Sequence, residues 1–136
     1  MSKASPIRFF VLMLAGTLLF TACAPESDEE LILRDDYLGV WSVNETTGNN
    51  APQFYNVNIT AGSGENDIII NGLYNVSSTE VSATVDQFAL IIPQQQSSSI
   101  SFVGDGFANT EITRITLEFT ANDGTGDDEV TAVLTP

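Results

Sequence analysis

Histidine is absent from the 136 residues, cysteine occurs once, and lysine and arginine together number four against 18 aspartates and glutamates. Each shortage excludes something. With no histidine, one lysine at position 3 and one cysteine at position 23, the usual general bases, Schiff-base amines and thiol nucleophiles are missing. Catalysis is therefore disfavoured, and a hydrolase built on carboxylates alone would need two of them facing each other about 5 to 10 Å apart. A lone cysteine cannot close an internal disulfide, so stability must come from the core. So few cations cannot neutralise a phosphate backbone, which excludes nucleic acid as a partner. Long apolar runs are scarce as well: Phe9 to Phe20 is a run of 12 residues, too short to span a membrane as a helix.

What is present first is a processing pattern. Lys3 and Arg8 precede and open the apolar run, the layout of a secretory signal. Thr21 and Ala22 then lead directly into the only cysteine. The stretch Leu19-Phe20-Thr21-Ala22-Cys23 resembles the lipobox of bacterial lipoproteins, with Phe20 where leucine is commonest. The resemblance implies cleavage before Cys23, a diacylglyceryl group on its thiol and a further acyl chain such as palmitate on the new amino terminus. It also implies the lipoprotein processing and export machinery as partners and the membrane as attachment site. Two or more such chains, at roughly 0.8 kcal/mol per buried CH₂, anchor a protein stably. Removal of residues 1–22 leaves one domain's worth of chain, with Arg34 and Arg114 against 18 acidic residues, a net charge of −16.

Residues 23–36 form the lipidated terminus and an acidic linker. The 13 residues after Cys23 reach roughly 40 Å when extended. Ser27, followed three residues later by Glu30 and then by Leu31-Ile32-Leu33, is a capping-box pattern that predicts a helical turn through about Arg34. The same Ser27-Asp28-Glu29-Glu30 resembles the lipoprotein export signal of Bacteroidota, which implies delivery to the outer face of the outer membrane.

From Tyr37 onward, short alternating runs rich in Val, Ile, Thr and Phe recur between Gly, Asn, Asp and Ser clusters, which reads as an all-β domain over residues 37–136. Strands are expected at Tyr37–Glu45, Phe54–Thr60, Asp67–Asn71, Thr79–Val85, Phe88–Ile92, Ser98–Val103, Ile112–Thr120 and Glu129–Thr135. Pro93 is expected to end the fifth strand. The sixth is expected to fade at Gly104-Asp105-Gly106. Eight antiparallel strands at a spacing near 12 residues suit an up-and-down meander closing into a barrel, which leaves no exposed edge; a two-sheet sandwich is the alternative.

By alternation Trp41, Tyr55, Phe102 and Phe119 point inward. Such a barrel either fills with its own side chains or holds one small ligand. These four residues are accordingly the expected lining of an apolar ligand site. Leu38-Gly39-Val40-Trp41 resembles the Gly-x-Trp of lipocalins and related calycins, which implies a tryptophan plugging the closed end of the barrel with a late arginine across it. Arg114 is the only late arginine, and its phase opposite Ile115, Leu117 and Phe119 sends it outward. More loosely, residues 37–135 look like small calycin-like domains attached to Bacteroidota lipoproteins, an impression carried by Leu90-Ile91-Ile92-Pro93 and the polar segment after it.

Asp123, Asp127 and Glu129 stand around glycines as carboxylates do in calcium loops. They lack EF-hand spacing and sit where a hairpin needs turn residues, so no metal is expected, with calcium the weaker reading. No other cofactor is expected apart from the lipid on Cys23. Asn44, Asn58 and Asn75 match the N-glycosylation sequon, by chance in a bacterial lipoprotein. The expectation is a surface lipoprotein whose barrel binds a small apolar ligand or another envelope component. The alternative is an interaction or glycan-binding module with a filled core.

Overall fold

The computed structural model describes residues 31–136. The leader 1–22, Cys23 and the acidic segment with Ser27 lie outside the described residues. Leu31–Pro136 forms one compact unit. It contains β1 (Gly39–Thr47), β2 (Gln53–Ala61), β3 (Asp67–Asn71), β4 (Glu80–Asp86), β5 (Ala89–Ser97), β6 (Ile100–Ala108), β7 (Ile115–Asn122) and β8 (Asp127–Thr135). Each strand pairs antiparallel with the next, and β8 pairs back onto β1 with Val43 opposite Leu134, so the meander closes into a barrel. Closure removes every edge and rules out the two-sheet alternative.

Alternation sets what lies inside. Val57 and Ile59, Ile68 and Ile70, Val81, Ala83 and Val85, and Ile115, Leu117 and Phe119 are all buried, while their sequence neighbours face out or are partly covered. Two short 3₁₀ turns complete the unit, Arg34–Tyr37 before β1 and Leu73–Asn75 between β3 and β4. The meander puts the start of β1 and the β2–β3, β4–β5 and β6–β7 connections at one end, here called proximal. The β1–β2, β3–β4, β5–β6 and β7–β8 connections lie at the other, distal end.

Several boundaries differ from expectation for identifiable reasons. Tyr37 belongs to the first 3₁₀ turn rather than to β1. That turn is started by Asp36, whose carboxylate accepts the Leu33 N–H at 3.0 Å. Pro93 does not end β5, which continues to Ser97. The β5–β6 register shifts between Ile92 and Gln95, and β4–β5 backbone pairing covers only Thr84 to Asp86. Proline therefore falls where no ladder bond is required of it. The Gln95 carboxamide spans the gap instead, accepting from Ser82 N–H and donating to Ser82 C=O, both at 2.7 Å.

β6 likewise runs through Gly104 and Gly106 instead of fading. A β-carbon on Gly104 would fall 2.6 Å from Phe119 Cα, and one on Gly106 2.6 Å from Thr116 C=O, so these glycines permit a close approach of β6 to β7. The β5–β6 hairpin turns on Ser98 and Ser99, both left-handed at φ 53° and 65°, a geometry that matches the twist of the strands it joins. Ile112 is not in β7. It sits in a turn at φ 51° with its side chain buried, because the Asn109 side-chain oxygen accepts the N–H groups of Thr113 and Arg114 at 2.8 and 2.9 Å.

Candidate functional site

The proximal end is sealed by the chain that enters it. Arg34 Nη1 donates to the C=O groups of Gly64 and Asp67 at 2.8 and 3.0 Å, tying the first 3₁₀ turn to the β2–β3 connection. That positions Tyr37, which is fully buried and whose hydroxyl donates to Gln87 C=O at 2.7 Å in the β4–β5 turn. Burial, with a smaller contribution from the Asp36 carboxylate, pushes the Tyr37 phenol up to about 12. Trp41 lies buried beside it, its indole N–H donating to Tyr37 C=O at 2.9 Å. The Trp–Arg lock implied by the lipocalin resemblance is not formed: Arg114, in the β6–β7 connection, is exposed, and Arg34 is engaged with backbone carbonyls.

The distal mouth has a different chemistry. Glu45 on β1 is fully buried and Asp128 on β8 is 4 % exposed, both on inward-facing positions. Tyr55 Oη donates to Glu45 Oε1 at 2.6 Å and Gln53 Nε2 donates to Glu45 Oε2 at 2.7 Å. Tyr74 Oη donates to Asp128 Oδ2 at 2.6 Å, and Asn49 N–H donates to Asp128 Oδ1 at 2.8 Å. The two halves are joined where Tyr74 N–H donates to Tyr55 Oη at 3.0 Å. Buried carboxylates without a cation are costly unless strongly hydrogen-bonded, and phenol donors supply such bonds.

Tyr74 is the stopper of this mouth. Its ring meets Phe102 and Phe119 edge-on, with centroids 6.4 Å from each, and those two rings lie 6.2 Å apart. It holds this place with left-handed backbone, φ 67° and ψ 21°, costing on the order of 1 to 3 kcal/mol in a non-glycine residue. The surrounding loop compensates. Gly72 takes the preceding left-handed position, and buried Thr79 shares its one hydroxyl proton between the C=O groups of Leu73 and Val76, both 2.9 Å from Oγ1.

Burial raises the Tyr55 phenol well above its ordinary value, with the Glu45 hydrogen bond and charge adding to it. Tyr74 is raised by burial and then by Asp128. Both phenols are thus held protonated, as donors to the Glu45 and Asp128 carboxylates.

Of the expected lining, Trp41 lies near the proximal end, Tyr55 is half-buried at the distal mouth, and Phe102 and Phe119 lie buried beneath Tyr74. The structure therefore brings three of the four together and separates Trp41 from them. Three concavities described on the protein lie on the outside of the barrel. One of them, about 600 Å³, is walled by Thr47, Val103, Glu118 and Glu129 of β1, β6, β7 and β8, with Gly104, Phe119 and Val130 also among its lining.

Asp123, Asp127 and Glu129 do not converge. Asp123 Oδ1 accepts from Thr125 N–H at 3.0 Å and Thr125 Oγ1 at 2.6 Å, which lowers its carboxyl, and Asp127 accepts from Asn122 at 2.8 Å. Glu129 points outward on β8. Among the described residues no three His, Cys, Asp or Glu side chains group as metal ligands.

Glu45 and Asp128 were not among the expected site residues, and Tyr74, an aromatic near a turn, was expected on the outside and not in the mouth. Alternation carries a signal for the two acids, since Glu45 is in phase with Trp41 and Val43, and Asp128 with Val130 and Ala132. Nothing local marks Tyr74, whose inward direction comes from its left-handed backbone. No protein-family model matches the chain, and no curated protein matches it either.

Proposed function

We propose that this chain is a membrane-anchored lipoprotein of the bacterial envelope, lipidated at Cys23 and displayed at the outer-membrane surface. Its barrel is a non-catalytic binding module that works through its outer face. Support for the anchor is the resemblance of Leu19 to Cys23 to a lipobox and of Ser27 to Glu30 to an export signal. The observation that carries the outer-face reading is the occupied interior: Trp41, Phe102 and Phe119 are 3 %, 0 % and 3 % exposed, and Tyr74 stops the mouth above them. A small apolar ligand would have to displace these rings and break the Tyr74–Asp128 bond. The closed barrel is consistent with a lipocalin-like fold, here in a filled form.

Metabolic labelling with a fatty-acid precursor, followed by protease shaving of intact cells, tests the anchoring. Wild type is expected to incorporate label and to be cleaved from outside, and Cys23→Ala to incorporate none. Unlabelled wild type overturns the lipoprotein reading, and labelled but protease-resistant protein overturns surface display.

A further inference from the structure

The described domain carries 14 acidic residues, yet one side of the barrel has none among its outward strand positions. On β1 and β2 every outward side chain is Asn, Ser, Thr, Val or Phe, and Asn71 of β3 continues the face. The outward carboxylates stand on other strands: Asp67 at the far end of β3, Glu80 and Asp86 on β4, Asp105 directly opposite Glu118 on β6 and β7, and Glu129 on β8, while β5 is uncharged as well.

The register sets the layout of the uncharged face. Asn44 is opposite Phe54, Ser42 opposite Asn56, and Asn58 opposite Asn71. Opposed β-carbons lie about 5 Å apart. Side chains two residues apart on a strand lie about 7 Å apart. Phe54 is 74 % exposed, an uncovered ring with the Asn44 carboxamide across from it and the Asn56 carboxamide beside it.

We propose that this face binds a neutral glycan, with Phe54 as the platform for the apolar side of one sugar ring and the carboxamides of Asn44 and Asn56 bonding its hydroxyls. The proposal deepens, and rests on, the outer-face reading above. A sugar hydroxyl both donates and accepts, and a carboxamide offers two donors and an acceptor, so the two match without charge. An anionic polymer would be repelled by the acidic remainder of the domain. A protein partner would want an apolar centre. Here the two large exposed apolar residues of the face, Val40 and Phe54, are separated by about 13 Å of strand occupied by Ser42 and Asn56.

Saturation-transfer NMR on the full chain in detergent, with cellohexaose, xylohexaose, mannohexaose and maltohexaose as probes, tests it. At least one probe is expected to bind in the millimolar range or tighter. Phe54→Ala is expected to weaken that binding at least tenfold and Asn56→Ala at least threefold. Phe54→Tyr should retain it, as should Phe107→Ala, which removes another exposed aromatic, on β6 beside the Asp105–Glu118 pair. No transfer from any of the four probes at 10 mM overturns the proposal while leaving the outer-face reading standing. Binding that survives Phe54→Ala but is lost in Tyr74→Ala places the ligand in the barrel mouth and overturns both.

Discussion

All three tyrosines of the chain, Tyr37, Tyr55 and Tyr74, are held with raised phenol values, and this makes alkaline titration a direct probe of both barrel ends. The perturbation is a pH jump from 8 to 11, followed by tyrosinate absorbance at 295 nm and circular dichroism on the same sample. An ordinary phenol near pKa 10 is about nine-tenths ionised at pH 11, so the unfolded chain is expected to show about 2.7 tyrosinates. Tyr37 at about 12 is roughly one-tenth ionised there, and the two mouth tyrosines less, so the folded chain is expected to show about 0.1 to 0.2. Because the folded values lie above the unfolded ones, the stabilisation is fully present below pH 10 and is lost as pH rises through the folded values. Two units at Tyr37 alone correspond to about 3 kcal/mol. The absorbance is therefore expected to appear together with loss of the β-sheet signal. One full tyrosinate per chain at pH 11, with the sheet signal intact, would refute the burial and hydrogen bonding argued for that residue.

Four further outcomes follow from the same geometry. Glu45→Ala leaves the Tyr55 hydroxyl and the Gln53 amide without their acceptor and is expected to cost about 3 kcal/mol or more by urea unfolding. Tyr74→Phe removes one charge-assisted bond while Asn49 N–H still serves Asp128, so a loss of about 2 kcal/mol is expected in the same assay. Gly104→Ala drives a β-carbon into the β7 backbone and is expected to lower stability by about 2 to 3 kcal/mol, visible as a reduced melting temperature. Arg34→Ala releases the first 3₁₀ turn from the carbonyls of Gly64 and Asp67; about 2 kcal/mol is expected, with faster amide exchange at Tyr37 and Leu38.

Much of the barrel is readable from alternation, because a strand with one face in the core must place apolar residues at every second position. Val81, Ala83 and Val85, or Ile115, Leu117 and Phe119, leave no other phase available. The misreadings come where a local rule meets a tertiary exemption. Pro93 sits at a register shift whose missing bonds Gln95 supplies. Gly104 and Gly106 mark close strand approach rather than a turn, and the two uses of glycine look alike in one dimension. Ile112 is apolar and buried without being in a strand, since Asn109 builds a turn around it.

The candidate mouth was legible in part. Tyr55, Phe102 and Phe119 follow from phase, and Glu45 and Asp128 could have been found the same way had charge not argued against an inward position. Tyr74 could not, because its direction depends on left-handed backbone that its own residue type disfavours.

The central claim, that the barrel is filled and acts from its outside, is tested most directly with the neutral apolar dye N-phenyl-1-naphthylamine, titrated against the full chain in detergent below its micellar threshold. The dye should show no saturable fluorescence gain, and Trp41 emission should be unchanged. Saturable one-to-one binding that shifts Trp41 emission and strengthens in Tyr74→Ala would contradict it, by showing that the interior opens to a ligand.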